Sequence, residues 1–142
     1  MIWLKFALML KKIEHIGIAV KNLKESNELF KKLFGKDLYK VEAVESEKVS
    51  TSFFMLGESK IELLEAQNEN SAIAKFIEKR GEGIHHMAFE VDDIYAEIKR
   101  LQTEGFEILN PEPKKGADNK LICFLHPKTT NGVLIELCQE IK

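Results

Sequence analysis

The chain repeats itself, and that repeat constrains its fold more than any other feature. Residues His15 to Leu23 read HIGIAVKNL and residues His86 to Ile94 read HMAFEVDDI, a shift of 71 positions. A second matched piece follows in each half, KIELL at 60–64 and LIELC at 134–138, with a glutamate at the centre of each. His15 and Glu62 are 47 positions apart, His86 and Glu136 are 50 apart, so the copies differ by three residues of loop. Two such copies fill nearly all of a 142-residue chain and leave no room for a second large domain.

Each copy reads as a strand, a helix and three further strands. In the first, Asn22 is placed to cap a helix with Leu23, Phe30, Leu33 and Phe34 on its apolar stripe, and Gly35 stops it. In the second, Asp92 and Asp93 are the capping candidates, Ile94, Ile98 and Leu101 form the stripe, and Gly105 is the stop. The β-rich runs are 37–44, 49–56 and 60–66, then 107–109, 120–126 and 133–139, with Gly57 and Glu58 as a hairpin turn. Helical spacing at Ile73, Phe76 and Ile77 joins the halves. The expected fold is therefore α+β: two tandem βαβββ units related by pseudo-twofold symmetry, forming an open β-sheet cleft able to hold a metal. Residues 12–142 make one domain, with a first unit at 12–66, a linker helix at 67–82 and a second unit at 83–140. Residues 1–11 are an N-terminal extension whose apolar run, 2–10, is too short for the roughly 20 residues that a membrane span requires. An over-long start, with Met9 as the first residue, is the alternative reading of that run.

Charge excludes some partners. Lys and Arg total 21 against 23 Asp and Glu, which gives no electrostatic reason to expect nucleic acid or an anionic membrane. The two cysteines, Cys123 and Cys138, lie in apolar runs and read as buried reduced thiols, which points to the cytoplasm.

Side chains alternate across a strand, so His15, Gly17 and Ala19 share one face and Ile16, Ile18 and Val20 the other. The same split sets His86, Ala88 and Glu90 apart from Met87, Phe89 and Val91, and Glu62 and Glu136 apart from their Ile and Leu neighbours. Helices would cover the Ile, Leu, Val and Phe face, which leaves both histidines and both glutamates on the other. Two imidazoles and two carboxylates are a borderline-hard donor set suited to a divalent Mn, Fe, Co, Ni or Zn ion. His85 points away from His86 and reads as a packing residue, and His126, before Pro127, falls at the rim.

The tandem pattern, with HIGIAV and IELLE, resembles the vicinal oxygen chelate superfamily over residues 12 to 139. Within it, GEGIHHMAFEVDDI at 81–94 and FLHPKTTNGVLIEL at 124–137 resemble the methylmalonyl-CoA epimerase family. The resemblance implies metal ligands at His15, Glu62, His86 and Glu136, a homodimer, and the coenzyme A thioester methylmalonyl-CoA as substrate. It implies one divalent ion per chain (Co, Mn, Ni or Zn) and epimerisation by proton transfer at C2 through a stabilised enolate. Relatives of this kind use two carboxylates as acid and base, one matching Glu136; the position matching the other is Thr51, in VSTSFF. Glu47 is the nearest acidic substitute, and Glu136 serves as both ligand and base. Ser50 lies close by in topology. Lys114, Lys115, Lys120 and Lys128 flank the second-half strands and are placed to meet coenzyme A phosphates, although lysines are generally solvated. The rivals are lactoylglutathione lyase, for which only Arg80 and Arg100 could meet the glutathione carboxylates, and a non-catalytic binding module, which needs no metal. A fourth protein ligand disfavours an extradiol dioxygenase.

Overall fold

The computed structural model describes residues 10–142 and divides them into two compact units. One holds residues 15–85; the other holds residues 86–142 together with residues 10–14. Each division falls immediately before one of the repeated histidines, so it cuts the first strand of each copy rather than the loop between the copies.

The first unit contains β1 (Lys12–Ala19, from His15 onward), α1 (Leu23–Phe34), β2 (Lys40–Val44), β3 (Val49–Leu56), β4 (Ser59–Ala66) and α2 (Ala72–Arg80). Its strands run in the order β2-β3-β4-β1, antiparallel except for the parallel β4–β1 pair. Helix α1 starts where Asn22 Oδ1 accepts the Glu25 N–H at 2.9 Å, a cap worth about 1 kcal/mol. It ends at Gly35, whose φ of +68° is the left-handed conformation that a side chain would oppose. Val20, Leu23, Phe54 and Leu63 form the core beneath α1, with Ile18, Phe30, Phe34 and Ile61 against it. Leu33 corrects the expected stripe: it is 69% exposed, because consecutive residues lie about 100° apart around a helix and Phe34 already occupies the core side. The strand expected over 37–44 begins only at Lys40, and the linker helix expected over 67–82 is the shorter α2, capped by the Ser71 hydroxyl.

The second unit repeats the order with β5 (Gly83–Glu90, from His86 onward), α3 (Ile94–Thr103), β6 (Lys114–Lys115), β7 (Lys120–Leu125) and β8 (Ile135–Glu140), arranged β5-β8-β7-β6. Ile94, Ile98 and Leu101 of α3 are buried with Val91, Cys123, Leu125 and Leu137. Of the two capping candidates, Asp93 accepts the Ala96 N–H at 3.1 Å, whereas Asp92 meets Lys11 Nζ at 3.1 Å. The strand expected over 107–109 is reduced to a single bridge between Ile108 and Leu125. Pro111 and Pro113 follow it, and proline has no N–H to extend a ladder. The short pair β6–β7 takes that place, and Gly116 lets it close: a Cβ there would lie 2.7 Å from Ile122 Cδ1. The last strand lies at Ile135–Glu140 rather than 133–139.

The first nine residues of the expected extension lie outside the described residues. Lys11 donates its N–H to Glu90 O at 2.9 Å, and its ammonium, between Asp92 and Glu90, has its pKa raised, chiefly by the hydrogen bond to Asp92. Among the described residues no helix is long and apolar enough to cross a membrane.

Candidate functional site

In the first unit, β1 and β4 run parallel with Gly17 opposite Glu62, which sets His15 one alternation away on the same face. His15 Nε2 lies 3.3 Å from Glu62 Oε1, and both side chains are buried. In the second unit Ala88 stands opposite Glu136, and His86 Nε2 lies 3.3 Å from Glu136 Oε1, again with both side chains buried. The two pairs match in atoms, in spacing and in register.

Each glutamate sits between the same kinds of neighbour. Glu62 lies between Gly17 on one strand and Phe53 on the other; Glu136 lies between Ala88 and Phe124. A small residue on one side leaves room for the carboxylate to turn toward the histidine, and an aromatic on the other limits its rotation. The His86 ring meets the Phe124 ring edge-on at 6.1 Å. Phe53 and Phe124 are also 71 positions apart, a repeat signal that strand alternation alone did not pick out.

A metal fits these donors. A charge-assisted N–H···O bond is typically about 2.7–2.9 Å, so 3.3 Å is long for one. Two donors bound to one cation at about 2.1 Å each would stand roughly 3.0–3.4 Å apart, depending on the angle between them. Imidazole and carboxylate are donors that first-row divalent ions accept.

Other candidates occupy different places. Glu47 lies in a 3-10 turn, Glu45–Glu47, beyond the end of β2 and in neither pair. Thr51 is fully buried on β3 and donates its hydroxyl to Glu42 O at 3.2 Å. His85 packs edge-on against Phe76 with centroids 4.9 Å apart. His126 Nδ1 accepts the Lys128 N–H and caps the turn Pro127–Thr129. Of the four lysines, Lys120 is buried with its ammonium 3.9 Å from Glu90, and Lys128 is 2.9 Å from Glu107, whose carboxyl it holds below the usual range. Lys114 and Lys115 are exposed on β6. Arg100 is held by Glu97 at 2.9 Å, and Arg80 lies over the Phe76 ring.

Both cysteines are free and buried. Burial, followed by the negative charge of Glu136, pushes the Cys123 thiol up to about 12 and raises Cys138 as well. Neither thiol has thiolate character at neutral pH.

Residues 14–124 match the model of the Glyoxalase/Bleomycin resistance protein/Dioxygenase superfamily. The mitochondrial methylmalonyl-CoA epimerase of Dictyostelium discoideum is 44% identical over 127 residues, covering 89% of this chain and 76% of that protein. The crystal structure of methylmalonyl-CoA epimerase from Mycobacterium tuberculosis superimposes with a TM-score of 0.91 at 32% identity, covering 94% of this chain and 91% of that one. A methylmalonyl-CoA epimerase solved in complex with methylmalonyl-CoA and NH4+ gives a TM-score of 0.89 at 35% identity, covering 92% and 95%.

Proposed function

We propose, from the premise that this chain belongs to the Glyoxalase/Bleomycin resistance protein/Dioxygenase superfamily, that it is a metal-dependent epimerase interconverting the (R) and (S) forms of methylmalonyl-CoA. The observation that carries this reading is the buried His–Glu pair at 3.3 Å, present once in each unit, in a chain 44% identical to a methylmalonyl-CoA epimerase. His15, Glu62, His86 and Glu136 are the ligands in this reading, one divalent ion per chain, drawn from Co, Mn, Ni or Zn.

The C2 proton of a malonyl thioester is weakly acidic, and the barrier to removing it is the negative charge left behind. A divalent cation, when bound, supplies positive charge where that negative charge develops, typically worth several kcal/mol. The residues do the rest. His15, His86 and Glu62 fix the donor geometry, and their burial keeps bulk water from competing for it. Glu136 accepts the C2 proton while the C–H electron pair moves into the thioester carbonyl, and reprotonation on the other face of C2 gives the opposite epimer. A positioned carboxylate contributes about 10²–10⁴-fold as general base.

Two further parts of the reading rest on different support. The homodimer follows from the family resemblance. A cytoplasmic location accords with two buried free thiols, which persist in a reducing compartment.

The test is metal-loaded protein in heavy water. Epimerisation with deuterium placed at C2 supports the reading. Absence of exchange, together with rapid isomerisation of the methylglyoxal–glutathione hemithioacetal, replaces it with lactoylglutathione lyase. Binding without turnover of either substrate leaves a binding module.

A further inference from the structure

We infer that Glu42 is the second proton carrier of the epimerisation, an assignment that rests on the function proposed above. Inverting C2 takes a proton from one face and returns one to the other. Glu136 accounts for one of these transfers.

The register of the first unit defines which side chains share the face of His15 and Glu62. In an antiparallel ladder, directly opposed residues project to the same side. Opposite Glu62 on β3 is Phe53, and opposite Phe53 on β2 is Lys40. One alternation along the strands, Leu64 stands opposite Thr51, and Thr51 opposite Glu42. On β1 to β4 of this unit, the carboxylates on that face are Glu62 and Glu42.

Burial agrees with the register. Along β2, Lys40, Glu42 and Val44 are partly or fully buried, whereas Val41 and Ala43 are exposed. Glu42 is thus turned to the site face and yet keeps 30% of its side chain in solvent. A group that exchanges its proton with water between turnovers needs that access. Lys40 Nζ stands 3.2 Å from Glu42 Oε1, and the Thr51 hydroxyl holds the β2 backbone at Glu42 O. Glu42 therefore sits on an anchored strand rather than in a turn.

Distance separates Glu42 from Glu47. Glu42 is two strand spacings from β4, about 10 Å, and one alternation from the level of Glu62. That gap leaves room for a small diacid head group between Glu42 and the ligand Glu62. Glu47 lies beyond the level of Ala66, four residues past Glu62, which is roughly 13 Å along the strand. The second unit carries Lys114 opposite Ile122, where the first carries Glu42 opposite Thr51, so the two copies have parted in chemistry at this position.

The experiment compares cobalt-loaded full-length wild type, Glu42→Gln, Glu42→Asp and Glu47→Gln, each with separate (R) and (S) substrate in heavy water. Inversion, deuterium wash-in at C2, metal content and thermal midpoint are measured. Glu42→Gln is expected to lose inversion by about 10²-fold or more, while still washing deuterium into one epimer without inverting it. Glu42→Asp should restore part of the inversion. Inversion by Glu42→Gln within threefold of wild type overturns the assignment. So does equal loss of exchange from both epimers at full metal content, and so does loss of inversion in Glu47→Gln alone. A wild type that exchanges nothing removes the underlying function instead, and this proposal with it.

Discussion

Glu65 reaches from the end of β4 to the first helical N–H of α1, accepting from Leu23 N at 2.9 Å. In the second unit Gln139 accepts from Ile94 N at 2.7 Å. Each acceptor lies three residues beyond the glutamate of its pair, and each donor lies eight residues beyond the histidine. Between them Val20 N–H meets Leu64 O, and Val91 N–H meets Cys138 O, both at 2.9 Å. The strand that carries the histidine, the helix that follows it and the strand that carries the glutamate are thereby locked in one register. The repeated 3.3 Å separation of His and Glu is the local result of that lock.

Cutting the lock should therefore cost stability and also blur the site. Glu65→Ala removes a charged acceptor at a helix N-terminus and is expected to destabilise by about 1–3 kcal/mol. Gln139→Ala removes a neutral one and should cost about 0.5–1.5 kcal/mol. Glu65→Gln keeps the hydrogen bond and should cost less than Glu65→Ala. Urea unfolding gives these numbers; a Glu65→Ala protein as stable as wild type would mean that the contact contributes nothing.

Much of this was legible in the sequence, for identifiable reasons. The caps Asn22 and Asp93, the stop at Gly35 and the strand 49–56 follow from local chemistry, and the structure has them. The His and Glu positions follow from duplication combined with alternation. What could not be read depended on contacts distant in sequence. Leu33 fits an apolar pattern, but only the sheet decides which side of α1 is covered. The 107–109 strand has suitable residues and lacks a partner ladder beyond Ile108. That Glu42 shares a face with Glu62 is known only once Thr51 is paired to both Leu64 and Glu42.

The buried thiols give a pH-dependent prediction. Their folded pKa values lie above the unfolded value of about 8.5, so the unfolded chain loses these protons first as the pH rises. Their contribution is fully present below about pH 8.5 and declines above it, continuing until the pH passes the folded value, about 12 for Cys123. Between pH 8.5 and 10 the slope should approach 1.4 kcal/mol per pH unit for each thiol. Cys123→Ala should remove one thiol's share of that slope. Native protein should also fail to react with a thiol-specific disulfide reagent at pH 8, and should react at both cysteines in denaturant; fast reaction of the native protein would contradict the burial.

A homodimer is expected at micromolar concentration. Sedimentation should give twice the chain's 16.3 kDa, and a stable interface of that kind buries roughly 1,600 Å². A monomer under those conditions would remove the dimer from the proposal.

The last prediction concerns the ligands. If the two His–Glu pairs serve one ion, the metal content should be one per chain, and removing a ligand from either unit should weaken it comparably. Loss of a group that merely orients a ligand costs about 10–100-fold in metal affinity, so loss of a ligand should cost at least about 100-fold. His15→Ala and His86→Ala are therefore both expected to bind cobalt at least 100-fold more weakly, as read by calorimetry. The cobalt absorption spectrum should change in each, because an imidazole nitrogen leaves the ion. Glu62→Gln keeps an oxygen donor but loses its charge, and should fall between wild type and the histidine variants. Two ions per chain, each lost with only one pair, would make the pairs separate sites. Wild-type affinity in His86→Ala would exclude the second unit's pair from metal binding altogether.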